Sequence, residues 1–131
     1  MKSIGLVFLL ASMSSASAFA ADAKTIAKGK TVFEQNCASC HGVSGAGDGP
    51  AAVALNPKPR NFATDEFKAG STPKEILKTV TDGLKGTMMV SYKHLPEADR
   101  KAVSEYVASL RKAAKKDTAP AKKESKPATK I

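Results

Sequence analysis

Tryptophan is absent from this chain of 131 residues, which holds only two cysteines, two histidines and two tyrosines. With aromatics at 5% of its residues, a domain of this size has little bulk for a core and is marginally stable on that core alone. Past the first twenty residues no apolar run approaches the ~20 residues that cross a bilayer. No stretch alternates as a half-buried strand would, and no internal repeat is visible. Glycines 42, 45, 47 and 49 gather before Pro50, but no Gly-Lys-Ser/Thr follows and no strand precedes, so they form no phosphate loop. These absences leave an all-α domain with long loops, outside the sheet folds and phosphate-loop enzymes.

The two ends read differently from the middle. Lys2, the apolar run "IGLVFLLASM" and Ala18-Phe19-Ala20 make residues 1–20 a secretory signal peptide cut before Ala21. The alternative, a retained membrane anchor, has too short an apolar run. The mature protein is therefore expected in the periplasm, with no transmembrane anchor. From Arg111 onward eight Lys/Arg face two Asp/Glu, with no aromatic residue and a single Ile at the end. Such a segment buries too little apolar surface to offset its ordering entropy and reads as a tail after a helix end. The expected organisation is signal peptide 1–20, domain 21–112 and basic disordered tail 113–131. The formal charge of +9 sits mostly in the tail, since residues 21–110 hold twelve basic and ten acidic residues. Nucleic-acid binding is not implied.

Three main helices are expected. The first runs from about Lys24 to Cys40, with Ile26 and Phe33 on its buried side and Gly29 placed where another helix can approach closely. The second opens on Thr72 as N-cap, with Pro73 at the first helical position and Glu75 completing a capping box, and Gly83 ends it. The third begins near Pro96 and reaches about Arg111 or a few residues beyond, carried by Val103, Tyr106, Val107 and Leu110. Residues 42–64 are loop, with a short turn at 51–55. Loops this long in so small a domain indicate function, or something wrapped inside.

The chemistry concentrates in "NCASCHG", residues 36–42. On a helical turn Cys37, Cys40 and His41 converge on one spot. A disulfide across two intervening residues would restrain the chain only weakly. A thioredoxin-like redox pair needs strands around it. A zinc site needs four ligands and would require His94 to turn inward, whereas His94 reads as a surface histidine. Cys-x-x-Cys-His is also the pattern for covalent attachment of a c-type haem: two thiols add to the haem vinyl groups and the adjacent imidazole binds the iron. Haem attachment uses all three residues without calling on His94, with zinc and a plain disulfide as the alternatives. A large apolar ligand would also supply the bulk that the core lacks.

The chain resembles the class I c-type cytochromes, the single-haem family, in "GKTVFEQNCASCHG" (29–42), "GDGPAAVALNPKPRNF" (47–62), "DGLKGTMM" (82–89) and "YVASL" (106–110). These cover nearly the whole domain in the family's order. The resemblance implies a cytochrome c-like fold around one covalent haem c, with His41 as proximal ligand and a methionine as distal ligand. The family's Gly-Thr-x-Met-Pro pattern places that ligand at Met89, with Met88 as the neighbouring alternative, although Val90 stands where proline is usual. Pro50 matches the proline whose carbonyl accepts a hydrogen bond from the proximal histidine. Arg60 and Tyr92 are candidates to meet the haem propionates. The implied function is one-electron, outer-sphere transfer by a monomeric periplasmic carrier whose partners are redox proteins with acidic docking surfaces, and not catalysis. The alternatives are a haem c subunit of a periplasmic redox enzyme complex or a five-coordinate haem protein that binds gas or reduces peroxide.

Overall fold

In the computed structural model, residues 22–117 are described, so the signal-peptide segment 1–20 and most of the tail lie outside the described residues. Among those described there is no strand, as expected of an all-α chain. Helix α1 spans Ala23–Asn36 and starts on Asp22, whose carboxylate accepts from the Thr25 N–H at 2.8 Å. Its buried face is Gly29, Val32 and Phe33.

The single helix expected to run through Cys40 is broken. Cys37 leaves helical geometry at φ −121°, and a separate turn, α2, spans Ala38–His41. The break is local: the N–H groups of Cys40 and His41 both reach the Cys37 carbonyl, at 3.2 and 2.9 Å. Gly42 closes α2 at φ 75°, a left-handed conformation that favours glycine. A 3₁₀ turn at Ala52–Ala54 fills the expected turn at 51–55.

Helix α3 spans Pro73–Asp82 with the full capping box: Glu75 N–H donates to Thr72 Oγ1, and the Glu75 carboxylate accepts from the Thr72 N–H. Gly83 follows it, its N–H bonded to the Thr79 carbonyl at 2.8 Å. Helix α4 spans Glu97–Asp117, so the chain stays helical past the tail boundary placed at residue 112.

Both α1 and α3 pack on α4. Gly29 is where α1 meets α4. A Cβ there would run into the Ala102 carbonyl and the Tyr106 side chain, so the expected close approach is present. The core forms around this crossing: Phe33 is fully buried, and its ring meets Tyr106 edge-on at 5.4 Å and Phe62 at 6.1 Å. Ile76 and Val80 of α3 and Val103 and Val107 of α4 complete it. Arg111, where the last helix was expected to end, is buried. Its Nη1 donates to the Asp65 carbonyl at 2.5 Å, and its guanidinium lies 4.9 Å from the Phe67 ring centre. One turn of α4 thereby pins the loop that follows Arg60.

Candidate functional site

A cavity of about 570 Å³ opens between the α1–α2 turn, the 55–70 loop and the 84–92 loop, within the range of small-molecule and cofactor sites. Core side chains form its floor: Phe33, Ile76, Val80, Val103 and Val107. On one wall the break at Cys37 brings Cys37, Cys40 and His41 to the same space. The cysteines are not bonded to each other. Burial, reinforced by neighbouring Cys40, pushes the Cys37 thiol up to about 11. His41 lies flat on Phe62, ring centres 4.7 Å apart and 22° from parallel. Burial holds its pKa below the ordinary histidine value, with the Arg60 carbonyl acting against that effect and the Arg60 charge adding to it. The neutral imidazole is thus favoured, the form that binds metals.

The 84–92 loop brings the methionines to the same cavity. Residues 84–89 close on themselves: the Leu84 N–H reaches the Met89 carbonyl at 2.9 Å, the Thr87 hydroxyl donates to the Leu84 carbonyl at 2.8 Å, and the Met89 N–H donates to that hydroxyl at 3.1 Å. Both methionines border the cavity, but in different environments. Met88 is 64% exposed, whereas Met89 is half-buried and packs against the core.

Arg60 also borders the cavity. Its guanidinium stacks 5.5 Å from the Phe67 ring centre, and its Nη1 donates to the Glu66 carbonyl. Tyr92 borders the cavity from the opposite loop, but its hydroxyl is taken: it donates to the Asn36 carbonyl at 3.0 Å. Pro50 is outside the cavity lining, and its carbonyl makes no hydrogen bond to His41. It is exposed, and the Ala51 N–H beside it bonds the Ser39 carbonyl at 2.9 Å, holding this segment on the α2 backbone. His41 Nδ1 is buried and has no hydrogen-bond partner. His94 is exposed and outside the cavity lining, as expected of a surface histidine.

Sequence reasoning assigned no role to Phe62, Phe67 or Arg111. Phe62 stacks on His41 and on Phe67, 5.7 Å away, and Arg111 covers Phe67. The available signal was Phe62 and Phe67 five residues apart in a segment otherwise rich in polar residues and proline, since an aromatic in a polar loop needs a surface to cover.

Two thiols and a neutral imidazole, with a half-buried thioether lining the same cavity, form a donor set that fits a covalently held haem. The comparisons with known proteins agree. A family profile described as Cytochrome c matches residues 26–111, and the chain belongs to the cytochrome c family. Haem c, covalently bound, is the cofactor of this family. The chain is 38% identical over 92 residues to the cbb3-type cytochrome c oxidase subunit CcoP of Azospirillum sp. (strain B510), covering 70% of this chain and 30% of that one. Cytochrome c6 of Cladophora glomerata is 34% identical over 86 residues, or 66% of this chain and 89% of that protein. Among solved structures, a chain of the reducing HAO-like protein complex of Kuenenia stuttgartiensis superposes with a TM-score of 0.63 at 39% identity, covering 68% of this chain and 44% of that one. The chain spans about 30% of the length of the CcoP relatives it matches.

Proposed function

We propose that this protein is an exported one-electron carrier in which Cys37 and Cys40 attach haem c, His41 is the proximal ligand and Met89 the distal one. The observation that supports this reading is that Met89, half-buried and core-packed, lines the same cavity as Cys37, Cys40 and His41. Haem c supplies reversible one-electron exchange at its iron. The side chains around it determine how that exchange runs. His41 and Met89 would together hold the haem iron and would leave no position for a substrate, which argues against the five-coordinate, gas-binding or peroxide-reducing alternative and against an enzyme. The soft Met89 thioether favours the reduced state, and the floor of Phe33, Ile76, Val80, Val103 and Val107 excludes water that would stabilise the more highly charged oxidised state. Arg60, at the cavity's border, retains N–H donors that a haem carboxylate can use.

The proposed carrier is a periplasmic monomer, and its partners are redox proteins with acidic docking surfaces. No helix among the described residues is long and apolar enough to cross a membrane. A second reading, a haem c subunit of a redox enzyme complex, is supported by the likeness to CcoP and to the HAO-like complex. Gel filtration of native periplasm separates the two, since a carrier elutes alone. The haem reading is tested with protein made alongside a c-type maturation system: colour should stay with the polypeptide through acid–acetone extraction, and reduction should sharpen the visible bands. Haem released into the solvent would show that Cys37 and Cys40 do not form thioethers.

A further inference from the structure

The break between α1 and α2 leaves one backbone group in need of a partner. In a continuous helix the Asn36 carbonyl would accept from the Cys40 N–H four residues on. That N–H goes to the Cys37 carbonyl instead, at 3.2 Å, alongside the His41 N–H. A carbonyl at a helix end that loses its intrahelical donor must find another, and Asn36 finds the Tyr92 hydroxyl at 3.0 Å, from 56 residues further along the chain. The Asn36 side chain is occupied locally, donating to the Val32 carbonyl at 2.9 Å.

Tyr92 stands three residues after Met89, at the root of the same loop. Its N–H donates to the Val80 carbonyl at 3.0 Å, and the Ser91 hydroxyl donates to the Thr81 carbonyl at 2.6 Å, so the root is fixed to the end of α3. The ring packs against the core. Among the described residues, the bond from the Tyr92 hydroxyl to Asn36 is the one hydrogen bond that joins the 83–95 loop to α1 or to the Cys37–His41 turn. One side chain therefore ties the loop that carries Met89 to the end of α1, next to the Cys37–His41 turn.

We propose that Tyr92 is a positioning residue: through the Asn36 carbonyl its hydroxyl holds the loop that carries Met89 in register with the turn that carries the two cysteines and His41. This rests on Met89 being the distal ligand. It gives Tyr92 a task at the cysteine end of the site, in place of contact with the haem propionates.

The test is Tyr92→Phe in the ferric holoprotein, which keeps the ring and deletes the hydroxyl. Guanidinium titrations would follow the weak red charge-transfer band of methionine ligation and, separately, the far-UV helix signal. Loss of one partly buried hydrogen bond that leaves a carbonyl unpaired should raise the equilibrium constant for losing the band about five- to tenfold at a given denaturant concentration. The helix midpoint should move by clearly less, because the loop opens locally. A variant whose band constant stays within about twofold of wild type overturns the proposal. So does a variant in which band and helix signal shift together, since Tyr92 would then serve only general stability. A wild type that never shows the band overturns the Met89 reading itself and the proposal with it, which separates the two failures.

Discussion

Met88 and Met89 are chemically identical neighbours, and nothing in their spacing from the Cys37–His41 turn distinguishes them. The family pattern favours Met89, yet Val90 stands in place of the usual proline and weakens that signal. The difference comes from the turn closed by the Leu84 to Met89 backbone bond and the Thr87 hydroxyl, which packs Met89, half-buried, against the core and leaves Met88 exposed. Met89→Ala should therefore abolish the red charge-transfer band of the ferric protein, lower the reduction potential and let the reduced protein bind carbon monoxide. Met88→Ala should leave all three nearly unchanged. Visible spectroscopy and a potentiometric titration check both, and exchanged results would make Met88 the ligand. At the same scale, Cys37, Cys40 and His41 were legible because their spacing alone makes them converge. The role carried over to Pro50 does not appear in the structure, where His41 lies on Phe62 with Nδ1 unpartnered. A backbone carbonyl leaves no mark in the sequence to say which way it faces.

Among the elements, α3 was the most legible, because Thr72, Pro73, Glu75 and Gly83 each act within one turn of their own position and all four do so in the structure. The boundaries that differ were set by contacts distant in sequence. The break at Cys37 goes with a carbonyl taken by Tyr92, and Arg111, near the expected helix end, is held by Asp65 and Phe67, partners that a composition reading of "RKAAKK" does not reveal. Gly29 lies between these cases: a glycine inside a helix costs about 1 kcal/mol relative to alanine, and the reason to keep it becomes visible only once α4 is in place. Gly29→Ala should gain that intrinsic preference and lose more, because the added methyl group meets a backbone carbonyl that cannot rotate away. A net loss of about 2 kcal/mol is expected, which for a domain of this size lowers the melting temperature by roughly 10 °C. Calorimetry or thermal circular dichroism of the holoprotein measures it, and a variant at least as stable as wild type would show that α1 and α4 can separate without cost.

For the whole molecule the decisive feature is that the core and the cavity share their walls. Phe33, Ile76, Val80, Val103 and Val107 belong to the buried cluster and also face the 570 Å³ space. In a larger protein a cavity can sit beside an intact core, but here little apolar packing remains once those five side chains lose one of their faces. Surface ion pairs do not compensate. Lys28 and Asp99 join α1 to α4 at 2.6 Å with exposures of 51% and 26%, and a pair of that kind contributes ~1 kcal/mol or less. The shortage of aromatic bulk in the sequence and the cavity in the fold have one explanation under the proposed function: the missing hydrophobic mass is that of the haem, which Cys37 and Cys40 would hold. The double variant Cys37→Ser/Cys40→Ser, purified without haem, should accordingly lose its cooperative thermal transition and much of its far-UV helix signal at room temperature, while exposed apolar walls bind a hydrophobic dye. The helix α4 contacts through Gly29 would then form only transiently, and amide exchange in α1 and α4 should rise together, because neither helix has enough remaining partners to stay folded by itself. A haem-free variant that melts cooperatively at a temperature near that of the holoprotein would mean that the α1–α4 crossing alone holds the fold, and that the cavity walls contribute little to its stability.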